Sequence, residues 1–275
     1  MGSVAMNALR YCAIALALIW SIGPILLIVA SSFKEARDIF ATPPSLIFVP
    51  TLDNYRALWA EHPAFFRGLW SSLLVTAGAT VVTLTVSCAA GYVFARHHGR
   101  LLQGSAFMML AARMLPPIII IIPLFPTVNA LGLNDTHLLL VLLYAAFYVS
   151  IATWIMRAFI VALPRELEEA ASVDGAGLAR ILLQIILPLA AQGMVAVAIF
   201  VVVFAWNEFV FALVFTTTHA RTAPVVIAEM LGTVEGVQWG VVFAAATVQL
   251  VPVLATVLVL QRYLVAGLTA GAVKE

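Results

Sequence analysis

Charge is scarce in this chain. Asp, Glu, Lys and Arg make up 10% of its 275 residues, while 64% are hydrophobic. A soluble globular domain carries about 25% charged residues, so a large soluble domain is excluded. Cysteine is nearly absent: Cys12 and Cys88 both lie in apolar runs and read as small core residues, not as a disulfide or metal pair. Catalytic motifs are missing as well. There is no Gly-rich Lys-Ser/Thr phosphate loop, no Gly-x-Ser-x-Gly elbow and no His-Glu-x-x-His. The five histidines (His62, His97, His98, His137 and His219) fall in loops or at span ends. An intramembrane protease would need a nucleophile and a base at matching depth, and neither is found. Net charge is +1, which suggests neither nucleic acid nor an acidic ligand. No catalytic residue, metal site or chain-bound cofactor is expected. Internal repeats, low-complexity tracts and long linkers are also lacking.

Long apolar runs are abundant. A hydrocarbon core takes roughly 20 apolar residues per helical span, and six such runs stand at about 11–31, 68–95, 102–125, 137–160, 187–215 and 239–263. The predicted fold is all-α and polytopic, with six transmembrane helices. The first run follows Arg10 and is too long for a signal-peptide core. Val29-Ala30-Ser31 is a weak cleavage site, so it is expected to stay as a span. Lys/Arg placement gives orientation. With the N-terminus inside, the inner segments hold Arg10, Arg96, Arg100, Arg157, Arg165, Arg180, Arg262 and Lys274. The outer ones hold Lys34, Arg37, Arg56, Arg67 and Arg221. The short loop 126–136 has no Lys or Arg, which supports the same orientation. Both termini are then cytoplasmic. Three parts follow: residues 1–66, a first span and its outer loop; 67–265, a five-span core; and 266–275, a cytoplasmic tail.

Polar residues inside the runs are few enough to name. Arg113 precedes Pro116-Pro117 in the third run, where a proline pair removes two donors and kinks the helix. Two readings fit Arg113: a packing residue bonded to the freed carbonyls, or a lining of the substrate pathway. Tyr144 and Tyr148 lie one turn apart in the fourth run, with Ser150 and Thr153 nearby, a pattern that suits a sugar and equally suits helix–helix hydrogen bonds. Asn207 and Glu208 sit in the fifth run; the carboxylate is a site candidate or a structural group, snorkelling outward or bonding across to Arg113. Gln249, with Thr247 and Pro252, makes the sixth run polar and kinked enough to line a passage. In the outer loop Pro43-Pro44 and Pro50 keep the chain extended, and 52–60 reads as a short interfacial helix, a surface anchor or a partner contact. The loop 216–238 is placed outside, within reach of an external protein.

The stretch Glu169–Pro188 departs most from this apolar background. Leu163–Ser172 is rich in helix formers after Pro164, Asp174-Gly175 reads as a turn, and Leu178–Leu187 as a second helix running on into apolar sequence. Small residues through the turn let another surface approach the backbone. Glu169-Ala-Ala, three residues, Gly175, nine residues, Ile185, one residue, Leu187-Pro188 resembles the EAA loop of ABC importer permeases. TLDNYRALW, AWNEFVFALVFT and the Gly-rich C-terminus resemble the matching segments of maltose-type, MalG-like carbohydrate permeases, so the similarity covers nearly the whole chain. Ala191-Gln192-Gly193 departs from it where that family often has a proline.

The resemblance implies a type I importer permease fold (MetI-like) in the bacterial inner membrane. It implies that Glu166, Glu169, Ala170, Ala171, Asp174, Gly175, Ala176, Ile185, Leu187 and Pro188 form a coupling loop. It also implies alternating access, a second, MalF-like permease, two ATP-binding subunits holding ATP and Mg, an external solute-binding protein and a surround of membrane lipid. The cargo implied is a sugar or polyol. The tail would reach towards the ATPase pair, or else simply fray. Two alternatives stay open: a permease for phosphonate, amino acid or metal, which the loop signature alone also fits, and an ion-coupled secondary carrier, which needs no ATPase.

Overall fold

A computed structural model describes residues 2–43, 45, 47–232 and 236–271. In chain order the helices are α1 (Gly2–Ser32), α2 (Ala36–Ile39), α3 (Asp53–Glu61), α4 (Pro63–Arg96), α5 (Arg100–Arg113), α6 (Pro117–Ala130), α7 (His137–Val161) and α8 (Glu166–Val173). Then come α9 (Leu178–Ile181), a π-helical turn (Leu182–Ile186), α10 (Leu187–Leu189), α11 (Ala191–Trp206), α12 (Val210–Phe215), α13 (Ala223–Met230) and α14 (Trp239–Gly271). No strand occurs among the described residues. Four helical stretches are long and apolar enough to cross a membrane, and six when each of two bent pairs counts as one span. That agrees with the all-α, six-span expectation.

The bends are where polar backbone is freed. α5 and α6 meet at 94°, because Pro116 is extended (φ −56°, ψ 140°) and Pro117 opens α6. The elbow helix is expected to run on into apolar sequence, with the entry of the fifth span put in question by Ala191-Gln192-Gly193, and at that entry Leu178–Leu189 and Ala191–Trp206 meet at 76°. The π-helical turn and Pro188 both loosen the i→i−4 ladder just before that bend. The fifth span is itself interrupted at 207–209 before α12 resumes. The loop expected at 216–238 contains α13; its residues 233–235, like Pro44, lie outside the described residues, as do 272–275 of the tail. α14 carries the last helix on to Gly271, past the 263 read from hydropathy.

Two compact units are distinguished: Met1–Phe66 with Val226–Val251, and Arg67–Val225 with Pro252–Glu275. In the first, α3 is tied to the end of α1: Asn54 Nδ2 donates to the Ser32 and Lys34 carbonyls at 2.9 and 2.8 Å, and the Tyr55 and Ser32 hydroxyls are 2.7 Å apart. Trp59 is exposed, with its ring on Phe66. In the second, α7 is the central element, with Leu140, Ala152, Met156 and Ile160 fully buried. Its neighbours come close because glycine faces it. A Cβ on Gly91 would sit 2.8 Å from Met156 Cβ, and one on Gly193 2.8 Å from the Phe159 ring. Contacts that close are available only to glycine.

Candidate functional site: the elbow and the intramembrane cluster

The elbow between α7 and α11 is built from a helix stop. α8 opens with three acids (Glu166, Glu168 and Glu169) in its first turn, where the helix dipole favours negative charge. It ends at Asp174, and Gly175 takes φ +82°. The Gly175 N–H donates to the Ser172 carbonyl at 3.1 Å and the Ala176 N–H to the Ala171 carbonyl at 2.9 Å. This pair of bonds is a Schellman motif, in which a left-handed residue stops the helix and its flanking apolar residues touch. Ala171 and Ala176 are those residues, and both pack on the core. The spacing of Ala171 and Gly175 is therefore a folding requirement before it is anything else. Gly177 then caps α9 in an extended conformation.

The elbow has two sides. Inward, Glu168 accepts from Arg96 Nε at 2.6 Å and from the Tyr92 hydroxyl at 2.8 Å. The side chains of Arg96 and Glu168 are only 8% and 13% exposed. Arg96 Nη2 also donates to the Leu163 carbonyl at 3.1 Å, while Arg165 donates back to the Arg96 carbonyl at 3.4 Å. α8 is thus pinned to the end of α4 by a nearly dry ion pair. Outward, Glu166, Glu169, Ala170, Asp174 and Pro188 are exposed. Val173 is 88% exposed and Leu178 62%, large apolar groups to leave bare on an acidic surface. Ile185 and Leu187 are half-buried, while Ile181 and Ile186 make the core contact beneath the second helix.

Four of the intramembrane candidates adjoin one another: Arg113 lies on the Tyr148 ring, the Tyr148 and Tyr144 rings are 6.4 Å apart, and Tyr144 lies near Glu208. Arg113 donates a long bond, 3.4 Å, to the Phe147 carbonyl and lies 5.2 to 5.5 Å from the rings of Phe147, Tyr148 and Phe200. Its partners are therefore on α7 and α11, not the carbonyls freed at its own kink. It lines a cavity of about 250 Å³ with Ser150, whose buried hydroxyl, like that of Thr153, has no hydrogen bond among the described residues. Glu208 accepts from the Phe211 N–H at 2.9 Å and the Ala212 N–H at 3.3 Å, capping α12 where the fifth span resumes. It forms no ion pair with Arg113 among the described residues. Tyr144 is buried near this carboxylate. Tyr148 donates to the Phe204 carbonyl at 3.1 Å, a helix–helix bond. Asn207 Nδ2 bonds the Val203 carbonyl on its own helix at 2.8 Å. Gln249 is half-buried on α14, in the first unit.

Asp135 is a further anchor that the sequence did not announce. It sits at φ +58° after α6, and its carboxylate accepts from the N–H groups of Thr217, Thr218, His219 and Ala220 at 2.9 to 3.1 Å. Partial burial pushes its carboxyl up, but those four N–H groups outweigh it and hold the carboxyl well below the usual range. A depressed folded-state pKa stabilises above the unfolded value of about 3.9 and is lost as pH falls through the folded one. Thermal unfolding should therefore show Asp135→Asn below wild type by a constant margin from pH 5 to 8. The margin should shrink only in strong acid.

Residues 57–270 match the family model described as "Binding-protein-dependent transport system inner membrane component". The chain belongs to that family. Membership makes it a multi-pass membrane component of a binding-protein-dependent transport system. The chain is 36% identical over 255 residues to the trehalose/maltose transport system permease protein MalG of Thermococcus litoralis, covering 91% of each chain. It is 38% identical over 249 residues to the trehalose transport system permease protein SugB of Mycobacterium tuberculosis, covering 89% of this chain and 87% of that one. In fold it is similar to a chain of a bacterial ABC transporter involved in import of the acidic polysaccharide alginate. That likeness has a TM-score of 0.77 at 18% identity, over 94% of this chain and 96% of the other. The permease resemblance drawn from the elbow, the WNEF segment and the C-terminus stands. Sequence reasoning passed over Arg96, Tyr92 and Asp135. Arg96 was counted only as an inner charge, although a cation closing a long helix next to an acidic loop was a signal for the pair.

Proposed function

We propose that the chain is one permease subunit of an ATP-driven carbohydrate importer. It would pair with a second permease, receive cargo from an external solute-binding protein, and be driven by two ATP-binding subunits that hold ATP and Mg. Both termini and the elbow would lie in the cytoplasm, in agreement with the Lys/Arg distribution. Sugar as cargo is supported by the relatives named for trehalose and maltose.

The two-sided elbow carries this reading. Its inner face is fixed to α4 through Glu168 and Arg96, so a push on the elbow moves the spans and is not absorbed by a floppy loop. Its outer face offers Glu169, Val173, Asp174 and Leu178 to another surface. A motor acts on the equilibrium between inward-open and outward-open states only if ATP interacts differently with the two. A rigid handle is what converts closure of the ATP-binding pair into that difference. The intramembrane polar groups would line or support the pathway, Arg113 and Ser150 through their cavity.

Reconstitution in sealed proteoliposomes tests this. Uptake of labelled trehalose or maltose should require the second permease, the ATP-binding subunits, the binding protein and ATP. It should persist when a protonophore collapses the ion gradient. Uptake by this chain without ATP, driven by an imposed gradient, would instead identify a secondary carrier.

A further inference from the structure

A second cavity, of about 190 Å³, lies where the end of α4 and the start of α5 meet the flank of α7. Its body is apolar, with Leu102 and Leu110 on α5 and the Trp154 ring on α7. Its polar lining includes Arg157, His97 and His98, and no acidic side chain contributes among the described residues. Arg157 is held in place from one side only. Nε donates to the Phe94 carbonyl at 3.1 Å, and the guanidinium lies 5.1 Å over the Trp154 ring. Its two terminal nitrogens make no hydrogen bond among the described residues, so a planar fork of donors is left at the cavity. Arg100, exposed at the first turn of α5, adds another positive charge nearby.

An occupant must match both halves: an anion with two oxygens for the fork, and hydrocarbon for the walls. A phosphodiester matches a pre-oriented guanidinium in two-point fashion. His97 and His98 directly follow the end of α4, a long apolar span, where headgroups are expected, and Trp154 lies about two turns inside the end of α7. Basic pockets between transmembrane helices commonly take such headgroups. We propose that this cavity binds one anionic phospholipid, its phosphate on Arg157 and the two histidines and its acyl chain along α5. Free phosphate would satisfy the fork and leave the walls bare. Only the choice of leaflet, the cytoplasmic one, rests on the topology proposed above.

Native mass spectrometry of the purified full assembly tests the site, with phosphatidylglycerol titrated against phosphatidylcholine and against inorganic phosphate. The wild type should retain one more phosphatidylglycerol than Arg157→Gln or the double variant His97→Ser/His98→Ser. Retention should fall about tenfold with the loss of the charge-assisted bonds, and neither phosphatidylcholine nor phosphate should displace the lipid. Equal retention by wild type and variants, or displacement by either competitor, would overturn the proposal. The exposed histidine pair decides the matter if Arg157→Gln fails to assemble. Leaflet is read separately: Arg100→Cys should resist an impermeant thiol reagent added outside intact cells. Labelling there would reverse the topology and leave the lipid result standing.

Discussion

Reversing the charge at Glu169 is expected to abolish most transport in a complex that still assembles. Glu169 is exposed and makes no ion pair among the described residues, so the fold depends on it little. Its stabilising role is its place in the first turn of α8, worth roughly 0.3–1 kcal/mol by the helix dipole. Lysine there lowers stability by about that much twice over, small beside the melting of a polytopic chain. As part of a docking surface, however, the same change sets like charge where opposite charge was accommodated. Coupling between distant sites is typically 1–3 kcal/mol, so losing it lowers ATP-dependent uptake about 5- to 150-fold. Glu169→Lys should thus show near-wild-type assembly and thermal stability with uptake reduced tenfold or more. Uptake at the wild-type rate in an assembled complex would show that the exposed face is not gripped.

Removing Arg96 should do the opposite: it should weaken the fold and leave the docking face intact. Arg96→Ala strands Glu168 with only the Tyr92 hydroxyl for company, in a setting where both side chains were almost dry. Breaking a buried pair from one side costs about 3–5 kcal/mol, because the surviving charge has lost its solvent and its partner. The low end applies here, since Glu168 retains some water access. The Leu163 carbonyl loses its donor in the same stroke. The thermal midpoint should fall by several degrees, and what remains folded should hydrolyse ATP with little uptake, because the handle has come loose from α4. Arg96→Lys should be mildest, keeping both charges and losing the second bond to Leu163. Glu168→Gln should lie between, since the amide oxygen still accepts from Arg96 but leaves that buried charge without its counterion. Three variants of equal stability would remove the ion pair from the account.

The elements of this fold were largely legible because each rests on a local cause. Runs of about 20 apolar residues force helices where lipid offers no backbone partners. Pro116-Pro117 marked the break in the third span, and Asp174-Gly175 marked the turn, which the structure resolves into a Schellman stop. The bend at Ala190 was signalled only by Pro188 and by the family departure at Ala191-Gln192-Gly193, because the apolar run continues through it and hides its angle. The division of labour between Glu168 and Glu169 was missed for a different reason. The motif names Glu169, but helical phase puts Glu168 on the same face as Ala171, three residues on, so Glu168 is the one turned inward. Asp135 carried no local sign at all: its partners are 82 to 85 residues away, and only the folded chain brings them together. Arg113 and Glu208 invited a pairing by charge alone, yet each found a nearer solution, one among aromatic rings and the other at a helix start.

The most direct measurement is a site-specific cross-link. With Cys12 and Cys88 replaced, a single cysteine at Val173, which is 88% exposed at the tip of the elbow, should join in high yield to an ATP-binding subunit in the intact assembly. The yield should change when ATP is added. A Val173→Cys chain that joins to no such subunit, or that reacts with an impermeant reagent from outside the cell, would contradict the handle-and-motor account.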